Sequence, residues 1–414
     1  MKKMILRKYS LTYSAIFQSS LALLAILLLG NTQAHTQSID TVLVYETSLN
    51  ADDPVFISIS SADVDVVTHK SNDLRVEYHV DVEGRSSQEV REFIKSMDKA
   101  IKGRNKPVDS KNAIGGPVVK WKTVNGRTTI TLKVNGDSKR YKVKDWKLGI
   151  KIHMPEHAKT HARMSFANLS ITKLTNDAMI EISSGKLKLQ SCSNLRFRGN
   201  FVEAVDIGDL GAANINLNSS KFTANEVRTS LKMNANFSTI KVNRIGNSAK
   251  LNLNSSSFTG ESVDSLKVSG NFVRSFNIEQ VKVAKLSMNS SSFAVERAER
   301  LDISGANFSK FKIENCDAIR IGGSSSSKFL IENVNSVIAS GSRFSTFKIE
   351  NLSKKFVVNA SSGDRPDGHV DDSVLPWLEP IEISAPGVTV EGLLHLDHSA
   401  VVVDWVDEDM QQEE

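Results

Sequence analysis

A repeat marked by phenylalanine is the feature that most constrains the fold of this chain. Between Ile215 and Asn351 eight of the phenylalanines recur at intervals that alternate, short from Phe222 to Phe237 and long from Phe237 to Phe258. The alternation continues through all eight members, Phe222, Phe237, Phe258, Phe272, Phe293, Phe308, Phe329 and Phe344. One short and one long interval together form a period, so the repeat has two parts.

Each part contains a short run with apolar residues at every second position, which indicates a β-strand. One such strand cannot bury its apolar side alone, whereas coils stacked about 4.8 Å apart build a continuous core. We therefore predict an all-β fold, a parallel β-helix or β-solenoid with 35–36-residue double-coil repeats. An antiparallel β-sandwich is the alternative, but it gives no reason for the word Asn-Ser-Ser-x-Phe to recur at a fixed pitch.

The chain from Met1 to Ala34 has the pattern of a signal peptide. Basic residues at the start precede an apolar run that ends at Leu29, and small residues up to Ala34 resemble a cleavage site. The apolar run is short for a membrane span, and a retained anchor is the weaker alternative. We predict export to the periplasm, the cell surface or the extracellular space, with no membrane span in the mature chain.

Three further regions follow the signal peptide. Residues 40–160 alternate as strands do, except that a capping-box pattern at Ser86 to Glu89 opens a helix over 86–103. This region is predicted to be a cap of strands and one helix. The solenoid is placed at 161–363, and residues 364–414 form an acidic cap and tail whose short strands cover the last coil, since an open edge invites pairing with other chains.

Charge is distributed unevenly along the chain. Residues 86–152 contain 17 Lys and Arg against 6 Asp and Glu, whereas residues 364–414 contain 14 acidic residues and one arginine. Such segments attract each other or different partners. Because export makes nucleic acid an unsuitable partner, the basic segment is predicted to meet an acidic polysaccharide or the chain's own acidic tail.

Several short sequence motifs resemble those of a known family. The run Leu148-Gly-Ile-Lys-Ile-His-Met-Pro155 is followed by Ile180-Glu-Ile-Ser-Ser-Gly185, with shorter alternating words at Met164 to Phe166, Leu169 to Ile171 and Leu187 to Leu189. Together they resemble the exported bacterial adhesin-like proteins with a head-GIN-type domain, which are common in the Bacteroidetes. The resemblance covers roughly residues 55–360 and implies a β-helix. The helix at 86–103 and the longer, more regular repeat depart from the family pattern, and no catalytic residue is carried over.

Two sets of residues are predicted to form structural ladders. Asn218, Asn254 and Asn289 occupy one repeat position, with Asn234 at the analogous place in the other coil, and stacked amides can bond along the axis. The phenylalanines Phe222, Phe258, Phe293 and Phe329 are predicted to stack in the interior. An exposed phenylalanine column would instead be a strip on which sugars stack.

A third set is a candidate for surface binding. Glu279, Glu314 and Glu350 recur two coils apart, about 10 Å, which approaches the 6.5–9.5 Å spacing of carboxylates in an inverting glycosidase. Lys312 and Lys348 stand two residues before two of them, so a charge-paired, solvated surface is the preferred interpretation.

Neither histidine nor cysteine predicts a site. His153, His157 and His161 are spaced four residues apart, but Pro155 interrupts any helix that would align them on a metal. Cys192 and Cys316 lie about seven coils apart, too far for a disulfide. No metal or cofactor is expected.

The sequence favours a non-catalytic, adhesin-like structural or binding module of the bacterial envelope. Repeated polar solenoid surfaces suit multivalent contact with an envelope polysaccharide or an exported protein. Two alternatives remain open. One is a polysaccharide lyase or glycoside hydrolase built on a β-helix, and the other is a periplasmic assembly or envelope-stress factor that binds an exported protein through residues 86–152.

Overall fold

A computed structural model of the protein describes residues 37–49, 53–60, 62–102, 117–124, 127–134, 143–343, 345–359, 389–390, 395–396 and 400–401. The N-terminal elements are β1 (Gln37–Ser48), β2 (Val55–Ser60), β3 (Asp63–His69), β4 (Asp73–Gly84), α1 (Ser87–Lys102), β5 (Pro117–Val124), β6 (Arg127–Val134) and β7 (Val143–Pro155). The solenoid continues with β8 (Thr160–Ser165), β9 (Leu169–Lys173), β10 (Asp177–Asn218), β11 (Lys221–Asn236), β12 (Thr239–Asn254), β13 (Ser257–Asn271), β14 (Ser275–Asn289), β15 (Ser292–Asn307), β16 (Lys310–Ser325), β17 (Lys328–Arg343) and β18 (Thr346–Asn359). Three short strands follow, β19 (Thr389–Val390), β20 (His395–Leu396) and β21 (Ala400–Val401).

The predicted all-β solenoid is confirmed. From β10 to β18 each element pairs in parallel with the next, so that Phe222 lies opposite Ile240 and Ile240 opposite Phe258. The step from Ile240 to Phe258 is therefore one coil, and two such coils make one double repeat of the sequence. Parallel stacking leaves every inner position of one coil over the same inner position of the next.

Coil stacking begins at Val55, upstream of the boundary at residue 161 that the sequence suggested. β2 pairs in parallel with β8, and β8 pairs with β10. β3 pairs in parallel with β9, which pairs with β10 in turn. The chain from β4 to β7 is thus inserted between the first coil and the second.

The insertion forms the N-terminal cap. β4 lies antiparallel between β1 and β7, and β7 pairs with β3, so three strands extend the sheet beyond the first coil. The predicted helix is confirmed as α1, where the Glu89 amide donates to the Ser86 hydroxyl at 3.3 Å. Val90, Phe93 and Met97 are buried on one side of α1, as its spacing predicts.

At the other end, β19, β20 and β21 pair in parallel with β18 and so continue the stack over the last long coil. Most of residues 364–414, and residues 103–116, 125–126 and 135–142 of the basic 86–152 segment, lie outside the described residues. The predicted attraction between these segments stays a prediction. Among the described residues, no helix combines the length and the hydropathy needed to cross a membrane.

The interior is a continuous apolar core with a column of stacked aromatic rings. Phe258 and Phe276 have ring centroids 4.7 Å apart, and Phe329 and Phe347 4.8 Å, with rings 17° and 6° from parallel. The interior phenylalanine column consists of Phe222, Phe258, Phe276, Phe293, Phe311, Phe329 and Phe347, all with 0–1% exposure. It includes the four phenylalanines Phe222, Phe258, Phe293 and Phe329 that the sequence assigned to an interior stack.

Candidate binding face of the solenoid

Each coil turns one corner through a residue with positive φ. Ten non-glycine residues have φ between 48° and 59°, and they alternate strictly along the stack. Phenylalanine occupies this corner at Phe166, Phe201, Phe237, Phe272 and Phe308, and serine occupies it in the coils between, at Ser184, Ser219, Ser255, Ser290 and Ser326. We call the first set the corner phenylalanines. They recur every second coil, about 9.6 Å apart along the axis.

The coil stack holds these corners in the left-handed conformation. The Phe237 amide donates to the Asn254 carbonyl at 3.0 Å, and the Phe272 amide donates to the Asn289 carbonyl at 2.9 Å. The serine corners make the same bond, for example from the Ser255 amide to the Asn271 carbonyl. Left-handed φ costs a residue with a Cβ roughly 1–2 kcal/mol, and it is least suited to bulky side chains. Serine at alternate corners shows that the backbone does not require an aromatic residue there.

The corner phenylalanines project into solvent. Their exposed fractions are 73% for Phe166, 64% for Phe201, 61% for Phe237, 58% for Phe272 and 68% for Phe308. The seven described phenylalanines of the sequence repeat thus divide into two kinds, and Phe237, Phe272 and Phe308 belong to the exposed kind. Phe344 lies outside the described residues. The sequence signal was the alternation of short and long intervals, because equivalent positions on successive coils would be evenly spaced.

Inward-pointing serines follow the corners. The Ser309 hydroxyl accepts from the Ser291 amide at 3.2 Å and donates to the Asn307 carbonyl at 2.8 Å. The same buried position is held by Ser220, Ser238, Ser256, Ser291, Ser309, Ser327 and Ser345. The hydrogen bond from the backbone amide of one coil to the serine hydroxyl of the next coil connects the corner to the core. These serines include the second serine of the Asn-Ser-Ser word, whose buried role the sequence reasoning missed.

Asparagine columns line the outer side of the strand segment that leads into each corner. Asn218, Asn254 and Asn289 lie in one column, which also holds Asn236, Asn271 and Asn307. Within it the Asn289 amide nitrogen donates to the Asn271 oxygen at 3.1 Å. Asn234 lies in the neighbouring column instead, between Asn216 and Asn252, with amide bonds of 2.8 and 2.7 Å.

The two columns together form a shallow groove of about 500 Å³, here called the asparagine groove. Its lining includes Asn234, Asn236, Asn252, Asn254, Asn271 and Asn289. An amide carries two N–H donors and an oxygen that accepts twice, and a ladder bond on each side uses only one donor and one acceptance. Every laddered amide therefore keeps hydrogen-bonding capacity for a ligand in the groove.

A column of lysines runs beside the groove. Lys232, Lys250, Lys267 and Lys285 stack in register on four successive coils, and all four are exposed. Each precedes a groove residue by two positions, an asparagine after Lys232 and Lys250 and a serine after Lys267 and Lys285, and so shares the same outer surface of the strand. None of the four makes an ion pair with any residue that the structure describes. We call them the lysine column.

The predicted surface glutamates lie elsewhere in the coil. Flanking pairs such as Ile313 with Ile331 place Glu279, Glu314 and Glu350 in one column with Glu261, Glu296 and Glu332. The column thus carries a carboxylate on every coil rather than on every second coil. Lys312 contacts Glu314 at 2.9 Å and Glu332 at 3.6 Å, and the hydrogen bond to Glu314 raises the pKa of Lys312. Lys348 lies two coils from Lys312 in the same column.

The three histidines are not brought together. His153 Nε2 lies 3.7 Å from a Glu77 oxygen, His161 packs edge-on against Phe56 at 4.7 Å, and the His157 carbonyl accepts from the Asn176 amide. Burial lowers the pKa of both His153 and His161. Within the described residues, no group of His, Cys, Asp and Glu has the arrangement of a metal site.

Both cysteines are free and buried, in agreement with the separation that the solenoid imposes. Burial raises the pKa of Cys192 to about 11 and that of Cys316 to about 12. The thiolate is the reactive form of cysteine, and burial keeps both side chains in the thiol form at neutral pH.

Comparisons with known proteins give no family. No protein-family profile and no curated protein matches this sequence. Among solved structures, similarity is found to a "putative cell adhesion protein" of Clostridium sporogenes, at 8% identity over 55% of this chain and 82% of that one, with a TM-score of 0.22. "Putative adhesins" of Parabacteroides merdae and Parabacteroides distasonis are 12% and 11% identical, cover 89% and 88% of this chain and 97% of their own, and have TM-scores of 0.21. TM-scores this low do not establish a common fold.

Proposed function

We propose that this protein is a non-catalytic, adhesin-like binding module of the bacterial envelope, which holds an extended polysaccharide along the corner phenylalanines and the asparagine groove. The single observation that carries the proposal is the series of five exposed phenylalanines, each at a left-handed corner where the alternate coils carry serine. Exposure to solvent and positive φ both disfavour phenylalanine at these corners. Because phenylalanine recurs at five corners that disfavour it, we assign these side chains to ligand binding.

The pitch of the corner phenylalanines suits a polymer. Rings about 9.6 Å apart match the disaccharide repeat of an extended β-linked glycan, in which every second sugar presents the same side. The flat apolar side of a pyranose packs on an aromatic ring, and its hydroxyls find the amides of the groove. Polar groups placed beside aromatic rings are the usual composition of a ligand site.

Repetition supplies affinity without a deep pocket. Each coil pair offers one ring and several amides, so a long glycan makes the same weak contact several times, and the linked contacts add up to avidity. An envelope location and export remain part of the proposal, since a polysaccharide of the cell surface is the ligand in reach. The resemblance of the sequence to head-GIN-type adhesins agrees with this role.

A glycan array probed with the purified chain tests the proposal, with release of reducing sugar ends measured on every glycan that binds. We expect binding without release. The variant Phe237→Ser/Phe272→Ser should weaken binding at least tenfold, since each serine is the residue that the alternate corners carry, and burial of one ring contributes roughly 1.5–3 kcal/mol.

The control variant is Ser255→Phe, which adds a ring at a corner of nearly the same φ as Phe237 and Phe272. If binding depends on a two-coil pitch, this extra ring brings no gain. Stronger binding by Ser255→Phe would instead reveal unspecific apolar adhesion and overturn periodic recognition. Unchanged binding by the double serine variant would place the ligand elsewhere, and release of sugar ends would show an enzyme.

A further inference from the structure

We infer that the ligand of this face is an anionic glycan that lies parallel to the solenoid axis, with its acidic groups on the lysine column. This inference rests on the proposed function and adds the charge and the direction of the ligand to it. The observation behind it is independent of the phenylalanines, because it concerns charge on the other side of the asparagine groove.

The lysine column is a run of like charge in which no lysine makes an ion pair with a described residue. Lys232, Lys250, Lys267 and Lys285 stand on successive coils, about 4.8 Å apart. Four ammonium groups at this spacing repel one another, and a chain selected for stability alone would pair them, as Asp264 pairs with Lys282 at 2.9 Å on a neighbouring part of the same coils. A ligand with a matching row of anions removes this repulsion.

The lysine column ends at Lys285, because the next coil has an aspartate at the equivalent position. The next coil places Asp302 in register with Lys285, and Arg300 binds that carboxylate at 3.0 Å. The uninterrupted run of lysines therefore covers the four coils that also carry Phe237 and Phe272 and that line most of the asparagine groove, and Arg320 follows Asp302 in the same column. Three kinds of contact, aromatic, amide and cationic, thus run side by side along the same stretch of the axis.

The spacing sets the ligand chemistry. Two lysines fall within each interval between corner phenylalanines, so one cation is available for each sugar of a disaccharide repeat. Lysine recognises an anion as a compact point charge without the fixed fork of arginine, so carboxylate and sulfate both fit. A β-1,4-linked glycan with one acidic group on each sugar meets the rings, the amides and the lysines together.

The experiment compares three hexasaccharides of one β-1,4-mannan backbone, neutral mannohexaose, hexamannuronate and a sulfated mannohexaose, by calorimetric titration of the full chain. We expect an anionic hexasaccharide to bind at least tenfold more tightly than the neutral one, with the advantage lost as salt rises, because exposed charges are screened. The carboxylated and sulfated arms identify which acidic group is preferred.

Two matched variants assign the effect to the column. Lys250→Gln and Lys241→Gln each remove one exposed lysine from β12, but only Lys250 lies in the lysine column, since Lys241 stands in register with Thr223 and Thr259. We expect Lys250→Gln to bind the anionic hexasaccharide roughly two- to fivefold more weakly and Lys241→Gln to bind it as the parent chain does.

The outcomes separate the two proposals. Equal binding of neutral and anionic hexasaccharides, lost in Phe237→Ser/Phe272→Ser, overturns the anionic ligand and leaves the glycan-binding role intact. Equal weakening by the two lysine variants overturns the role of the column and indicates general attraction by net charge. If no hexasaccharide binds and no arrayed glycan is lost in the serine variant, both proposals fail.

Discussion

The interior phenylalanine column and the corner phenylalanines come within four residues of each other at Phe272 and Phe276 and at Phe308 and Phe311. Phe308 and Phe311 are three residues apart, yet Phe308 is 68% exposed and Phe311 is fully buried. Phe311 stacks on Phe329 at 4.9 Å, whereas Phe308 sits at a left-handed corner. The comparison shows that one residue type serves cohesion in one column and contact with solvent in the other.

The two columns also differ in how often they repeat. Rings follow on each coil from Phe258 to Phe347 in the interior, since an empty place there would leave a void under both neighbours. Corner rings recur only on every second coil. Over these coils the double period is therefore carried by the corners, whereas the interior column alternates further upstream, where Ile240 lies between Phe222 and Phe258.

The largest expected effect breaks the interior column. Phe293→Ala should lower the free energy of unfolding by about 3–5 kcal/mol, because it removes a fully buried ring and leaves a cavity between Phe276 and Phe311. Urea denaturation followed by circular dichroism measures the loss. The matched change Phe308→Ala, at the corner that follows β15, serves as the control, and a similar loss there would erase the distinction between the columns.

An intermediate effect concerns the inward serines that connect the corners to the core. Ser309→Ala should cost about 1–3 kcal/mol, because the buried Ser291 amide then loses its acceptor. The exposed Ser304 provides the control, with Ser304→Ala expected to change the midpoint of urea denaturation very little. Equal midpoints for the two variants would mean that the hydroxyl bonds between coils do not stabilise the corner.

The smallest expected effect concerns the corner phenylalanines. Phe308→Ser should change the free energy of unfolding by less than about 1 kcal/mol, because it places at this corner the residue that Ser290 and Ser326 already show to be compatible with the same φ. Thermal denaturation of this variant beside the parent chain is sufficient. A loss near that of Phe293→Ala would show that the corner rings support the fold and would remove the reason to assign them to a ligand.

Much of the fold could be predicted because its determinants are local and repeated. The alternation in runs such as Leu251 to Leu253 predicts a strand, and its recurrence predicts stacking, so the solenoid and the helix α1 were within reach of sequence reasoning. The start of the solenoid was not. β2 and β3 are separated from β8 and β9 by the whole N-terminal cap, and their parallel pairing is a long-range contact with no local signature.

The binding face was predicted only in part, because the two half-repeats align differently in the sequence and in the coil stack. Aligning the two half-repeats on their phenylalanines sets Phe237 beside Phe222, whereas the coil stack sets Phe237 beside Ser219 and Ser255, three residues away. Those three residues span the corner, where a residue with positive φ turns the chain, so strand alternation does not predict the side-chain direction across it. The glutamate column was likewise predicted only at every second member. The double repeat relates residues two coils apart, and Glu296 and Glu332 lie on the coils between.

Strand alternation and the double period follow from the order of apolar and polar residues along the chain, and they need no further information. Which phenylalanines point inwards and which project from the corners was settled by the coil stack. That choice depends on where each coil turns, and the turn is held by hydrogen bonds such as the one from the Phe237 amide to the Asn254 carbonyl, made between coils rather than within one. The register between neighbouring coils decides which phenylalanines are buried and which are exposed. A single repeat does not contain this register, because it is a relation between two coils.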